Sequence, residues 1–338
     1  MSQRPPRACG LFPEEGILTQ AKTRTKRPQL GDKTFLTDSG LETTLIFHDG
    51  IDLPHFASIA LHATDQGEQR LRDYLVRHIV IAKARNAGFI LESASWRASP
   101  DWGAKLGVSP AGLITLNRKS IALLAALRDE HETPQCPMPI SGNIGPRGDG
   151  YSPDRMMTGD EAMRYHAFQC DLFADTEADL ISGFTMTHSG EAIGIARAAK
   201  AVEMPVVISF TTETDGRLPS GETIRAAIEK TDDATSGAPA YYMINCAHPT
   251  HFVDALEKGE AWINRLRGLR ANASTRSHAE LDNSSDLDAG DPVDLGRRYA
   301  HLRGALGTRF NILGGCCGTD HRHVAAIAQA CLPLRAVA

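Results

Sequence analysis

No stretch of this 338-residue chain approaches the roughly 20 consecutive apolar residues that a membrane span needs. Excess charge is scarce too. Lys and Arg number 36 against 41 Asp and Glu, for a formal net charge of −5 and a pI near 6.2. A nucleic-acid partner requires a concentrated basic surface, so this balance argues against one. The seven cysteines are few, odd in number and scattered. That excludes a disulfide scaffold and suits a reducing cytoplasm. The first residues lack the apolar core of a secretory signal. Residues 1–32 mix prolines with a basic patch at Lys22, Arg24, Lys26 and Arg27. They read as an N-terminal extension, mobile or loosely docked, and Glu14 and Glu15 speak against a transit peptide.

What the chain does have is enough apolar material, 42% of its residues, to bury a large core. Short β-rich runs alternate with helical periodicity eight times. The strands are expected at Thr34–Asp38, Phe89–Ser93, Met138–Gly142, Asp179–Gly183, Val206–Phe210, Tyr241–Cys246, Leu266–Ala271 and Asn311–Gly314. The helices are expected at Glu68–Asn86, Pro110–His131, Gly159–Thr176, Ser189–Val202, Ser220–Thr231, Thr250–Lys258, Pro292–Leu306 and His321–Ala330. Such alternation implies parallel βαβ units, and eight of them close into a barrel. The expectation is a single-domain α/β fold, a (β/α)8 TIM barrel over residues 33–332. Arg267 and Arg270 interrupt the apolar character of the seventh strand. The loops after the strands, including Glu92–Gly107, Asn143–Thr158 and the polar Ala271–Asp291, are richer than those after the helices, as expected for an active-site face.

The chemistry concentrates in Gly314-Gly315-Cys316-Cys317-Gly318-Thr319. Adjacent cysteines pair poorly with each other, because consecutive Cα atoms sit about 3.8 Å apart. Glycines nevertheless let both sulfurs face one soft metal ion. Cys246, ending the sixth strand, would lie on the same barrel face as Cys316 and Cys317 beyond the eighth. Three thiolates leave one position of a tetrahedral Zn2+ open, as in catalytic sites. Taken alone, Cys246 reads more readily as a core thiol than as a ligand. Cys9, Cys136, Cys170 and Cys331 read as incidental.

Asn245-Cys246 followed by Pro249, together with Gly314–Thr319, resembles the homocysteine S-methyltransferase family. Leu36-Thr-Asp38-Ser-Gly40-Leu-Glu-Thr is similar to that family's opening Asp-Gly-Gly segment. Ser93-Ala-Ser-Trp96-Arg97-Ala98-Ser99 is similar to its second-strand motif, and Ser141-Gly142-Asn143-Ile144-Gly145-Pro146 to its third-strand turn. Ser209-Phe210-Thr211, Asp215-Gly216 and Gly221 follow its fifth-strand pattern. The resemblance runs from about Thr34 to about Ala330.

It implies a zinc barrel in which three cysteine thiolates hold the ion and the sulfur of homocysteine completes the tetrahedron. The implied partners are small molecules: an amino-acid thiol and a methyl donor such as S-methylmethionine, S-adenosylmethionine or betaine. The exposed outer helices leave room for a homo-oligomer. Asp38 is the candidate for the substrate ammonium, with backbone donors near Gly40 for its carboxylate, although Asp38 also fits a turn. Asn245 either orients the metal loop or satisfies local backbone groups. Trp96 and Trp102 are candidates to wall a methyl-onium pocket, His248 to lie behind the metal, and Thr319 to cap the last helix. Many members of the family carry Glu-Thr at the end of the fourth strand, where this chain has Phe184-Thr185. The ammonium then lacks an acidic partner there, and Glu191 reads instead as a first-turn helix residue. The alternatives are a different thiol acceptor, or a zinc-binding or redox-sensing barrel without turnover.

Overall fold

Strands that are apolar on both faces bury one face inside a closed sheet and the other beneath a layer of helices, and both clusters are present here. Phe35, Ile90, Leu180, Phe184, Val207, Tyr241, Met243 and Ile312 fill the interior. Leu36, Phe89, Leu91, Ile140, Ile181, Ile208, Tyr242 and Leu269 pack outward with helical residues such as Leu75, Ile79, Leu124 and Ile195. The computed structural model describes residues 21–153, 156–256, 260–284 and 286–332.

Among the described residues all nine strands are parallel: β1 Phe35–Leu36, β2 Gly88–Phe89, β3 Leu91–Glu92, β4 Ile140–Ile144, β5 Leu180–Met186, β6 Val206–Phe210, β7 Pro239–Asn245, β8 Leu266–Ala271 and β9 Ile312–Gly315. β2 and β3 are successive halves of one run broken at Ile90. The first half pairs with β1 and the second with β4, while β1 also pairs with β9. Ile90 bridges the break by donating to the Leu36 carbonyl at 2.9 Å. Eight staves therefore form a nearly closed barrel, as the βα alternation leads one to expect.

Helices follow at Asp65–Ala84, Pro110–His131, Gly159–Ala174, Ser189–Ala201, Ile224–Thr235, Pro292–Leu306 and His321–Cys331. Side-chain caps set several of their starts. Thr64, Ser109 and Thr223 accept from backbone N–H groups of the first turn, and Thr158 forms a reciprocal capping box with Glu161. The expected helix Ser220–Thr231 starts later, at Ile224, because Thr223 caps it. The expected Thr250–Lys258 helix is only the turn Pro249–Phe252 followed by 3-10 backbone at Val253–Ala255, and its last residues fall outside the described set. Several loops hold short helices that periodicity does not show, among them Pro100–Lys105 and His278–Asp282.

Most of the expected extension, residues 1–20, lies outside the described residues. From Ala21 the chain lies along the barrel. Arg24 donates to the Ala178 carbonyl at 2.7 Å, and the Thr23 backbone donates to Asp179 at 2.6 Å. Arg267 belongs to the same end, where it reaches the Gly31 carbonyl at 3.1 Å. No helix among the described residues is long and apolar enough to cross a membrane.

Candidate metal and substrate site

β7 ends at Asn245 and β9 at Gly315, so Cys246 and the Cys316-Cys317 turn emerge on one barrel face. The sulfurs of Cys246, Cys316 and Cys317 all lie within 4.8 Å of one another. A tetrahedral zinc with Zn–S bonds of about 2.3 Å needs its sulfurs about 3.8 Å apart, so this donor set fits one ion. In this structure Cys246 and Cys316 are joined as a disulfide, with Cα atoms 5.4 Å apart, while Cys317 is a free thiol. Sulfurs close enough to share one ion are also close enough to bond to each other.

The local fold explains why the sulfurs meet. Cys246 has φ of 52° and Thr185 has φ of 64°, left-handed values that β-branched Thr185 adopts only when its surroundings impose them. Asn245 supplies part of that constraint. Its Oδ1 accepts from the Thr185 backbone at 2.9 Å, and its Nδ2 donates to Thr185 Oγ1 at 2.8 Å and approaches Cys316 Sγ at 3.9 Å. The Cys246 carbonyl accepts from Asn272 Nδ2 at 3.1 Å and from His278 Nε2 at 2.6 Å.

The double-cysteine turn is stitched down on its other side. Thr319 Oγ1 donates to the Cys316 carbonyl at 2.6 Å, and Cys316 donates its N–H to Ala271 at 2.8 Å. Gly40 passes so close that a Cβ there would stand 2.5 Å from the Cys316 carbonyl oxygen. Its N–H donates to the Thr319 carbonyl at 3.2 Å, so it braces the turn. The cap of the last helix is Asp320, not Thr319.

The three cysteines sit in the wall of a cavity of about 530 Å³ that also takes in Asp38, Gly40, Glu42, Glu92, Phe184, Asn245 and Arg270. Arg270 enters it from β8 and meets Asp38 at 2.7 Å. It also donates to the carbonyls of Gly315 and Ser39, each at 3.0 Å, and lies 5.1 Å from the Phe184 ring centre. The second oxygen of Asp38 accepts from the Tyr74 hydroxyl at 3.1 Å. Asp38, expected to meet an ammonium, thus already faces one cation. Glu42 accepts from the Ser58 hydroxyl at 2.7 Å, and burial pushes its pKa up. Burial pushes Glu92 further, to about 7, against the pull of Arg270 and Ser141.

Other expectations resolve individually. Trp96 lines the cavity, but Trp102 is packed outside it, its indole donating to the Pro146 carbonyl at 3.3 Å. The Arg97 guanidinium lies 4.8 Å from the Trp96 ring and 4.2 Å from Trp102. His248 bonds Thr250 Oγ1 at 2.7 Å and begins a helical turn, away from the cavity wall. Glu191 is buried in a helix first turn, with His166 at 2.9 Å and the Arg147 N–H at 2.8 Å. It does not reach the cavity.

Among the wall residues that escape sequence reasoning are Glu92, Arg270, Tyr151 and His278. The Tyr151 ring lies tilted against His278 with centres 4.0 Å apart, and its hydroxyl lies 3.6 Å from Cys317 Sγ. Burial holds that phenol well above its usual pKa, so it stays a proton donor toward the sulfur. An arginine inside a strand was the one visible signal among them.

The family model for homocysteine S-methyltransferases matches residues 36–331. The chain belongs to that family, and it is a methyltransferase. Crystal structures of the homocysteine methyltransferase MmuM from Escherichia coli share its fold at 19% identity. The oxidised form gives a TM-score of 0.70 over 89% of this chain and 97% of that one. The metallated form gives 0.68 over 90% and 99%, and the apo form 0.60 over 91% and 100%.

Proposed function

We propose that this methyltransferase moves a methyl group from a small onium donor to homocysteine, giving methionine, with Zn2+ held by the thiolates of Cys246, Cys316 and Cys317. The observation that carries this reading is the convergence of three sulfurs within 4.8 Å in the wall of one cavity. When bound, a zinc ion supplies a site at which a fourth thiol stays deprotonated near neutral pH, where a free thiol of pKa about 8.5 is mostly protonated. MmuM has been crystallised in metallated and in oxidised form, and the same duality suits a site whose sulfurs here carry a disulfide. A reducing compartment such as the cytoplasm suits a site that works as thiolates.

The chain's own residues hold and shield the reacting groups. Asn245 fixes the strand ends that carry Cys246 and Thr185, and Gly40 and Thr319 hold the double-cysteine turn. From the loop side, Tyr151 meets the Cys317 sulfur and His278 holds the Cys246 carbonyl. Asp38 and Gly40 line the part of the cavity that receives the amino-acid end of the substrate. In the transfer, a lone pair of the substrate thiolate forms the new sulfur–carbon bond. The bond from the methyl carbon to the donor's onium atom breaks, and its electron pair stays on that atom, leaving it neutral. No proton moves in this step, so no protein base is required.

The test is product analysis. Reduced, zinc-loaded protein is incubated with homocysteine and, separately, S-methylmethionine, S-adenosylmethionine and betaine. Methionine should accumulate with at least one donor. None with any donor, from protein that holds its metal, counts against the reading.

A further inference from the structure

Glu92 ends β3, two residues after the interior residue Ile90, and its side chain enters the cavity beside Asp38, Phe184 and Arg270. It is only 7% exposed, and among the described residues its Oε2 has no hydrogen-bond partner. A carboxylate in that position is costly to the fold unless something meets its charge. The nearby cation is already committed, because Arg270 faces Asp38 at 2.7 Å and donates to two backbone carbonyls. Asp38, Glu42 and Glu92 therefore share one guanidinium, leaving the inner cavity with more negative than positive charge.

We propose that Glu92 receives the ammonium group of the amino-acid thiol, with Phe184 and the Arg270 guanidinium forming the adjacent wall. This rests on the functional reading above and adds the residue that selects an amino acid over a bare thiol. The chemistry favours a primary ammonium over the donor's methyl-bearing onium centre. Oε2 lacks a hydrogen-bond donor, which a primary ammonium supplies and a fully substituted sulfonium or quaternary nitrogen does not. Phe184 gives no competing acceptor, and its ring is covered by Arg270.

The test measures dissociation constants of reduced, zinc-loaded protein for homocysteine and for 4-sulfanylbutanoate, the same molecule without its amino group. Glu92→Gln should weaken homocysteine about ten- to hundredfold and leave 4-sulfanylbutanoate within about twofold. Glu92→Asp keeps the charge but withdraws it by one methylene. It should weaken homocysteine by an intermediate factor, and it serves as the comparison if the glutamine variant folds poorly. Equal weakening of both thiols, or homocysteine binding unchanged, overturns the inference. So does a rise confined to the donor's KM. Wild-type protein that binds homocysteine no better than the amine-free thiol refutes it as well. If wild-type protein neither binds nor methylates homocysteine, the functional reading itself fails, an outcome visible before any variant is made.

Discussion

Glu92→Gln also makes a prediction about folding that needs no substrate. Burial lifts the Glu92 pKa from 4.5 to about 7, although Arg270 and Ser141 pull it down. At about 1.4 kcal/mol per pKa unit, ionised Glu92 costs the folded state roughly 3 kcal/mol. Below pH 4.5 the carboxyl is neutral in the folded and unfolded chain alike, and glutamate and glutamine are then near-equivalent. Between 4.5 and about 7 the unfolded chain ionises while the folded one does not, so wild-type stability falls as pH rises. Above about 7 the whole cost is present. Urea unfolding of reduced, metal-free protein should therefore show Glu92→Gln more stable by about 3 kcal/mol near pH 8 and little different near pH 4. In zinc-loaded protein, saturating homocysteine should narrow the gap at the higher pH, because only wild type gains a partner for the charge. A variant less stable than wild type near pH 8, or a difference flat across pH, would falsify the account of Glu92 as an uncompensated buried carboxylate.

Two other perturbations test the site's construction. If the three sulfurs hold zinc as proposed, Cys316→Ser should lose most of the one ion per chain, read by metal analysis of reduced protein; full zinc occupancy would remove Cys316 from the ligand set. Asp38→Asn leaves the buried Arg270 guanidinium without its nearest counter-charge at 2.7 Å. It should cost about 3–5 kcal/mol in urea unfolding. A loss under about 1 kcal/mol would show that Glu42 and Glu92 compensate the arginine by themselves.

The barrel was legible because a two-sided apolar strand leaves a local record. Val206–Phe210 and Leu266–Ala271 have the bounds their composition suggests, as do the helices Pro110–His131 and Pro292–Leu306. Where expectation and structure part, a single side chain usually decides. Thr223 moves a helix start, and Asp320 takes the cap that Thr319 seemed placed to supply. The cysteines were legible for a related reason, since Gly-Gly-Cys-Cys-Gly has few uses other than presenting sulfur at a tight turn.

Recognition of the amino-acid end left no such record, because it arises where distant strand ends converge. Arg270 looked like a flaw in its strand, and Glu92 like the first residue of a loop. Their meaning appears only once the closed ring sets β1, β3 and β8 around one cavity and Asp38 claims the guanidinium. Phe184 shows the same limit from the other side. In sequence it reads as a lost acid, a deficit at the fourth stave. In the folded barrel it carries Arg270 on its ring while a carboxylate stands in the same cavity wall on β3. On the proposal above, the charge that meets the ammonium sits on a different stave from the one where the resemblance places a glutamate. The cysteines cannot move so freely, because three sulfurs must meet within one coordination sphere. The cysteine cluster is therefore readable residue by residue, and the carboxylates of the cavity wall only as its summed charge.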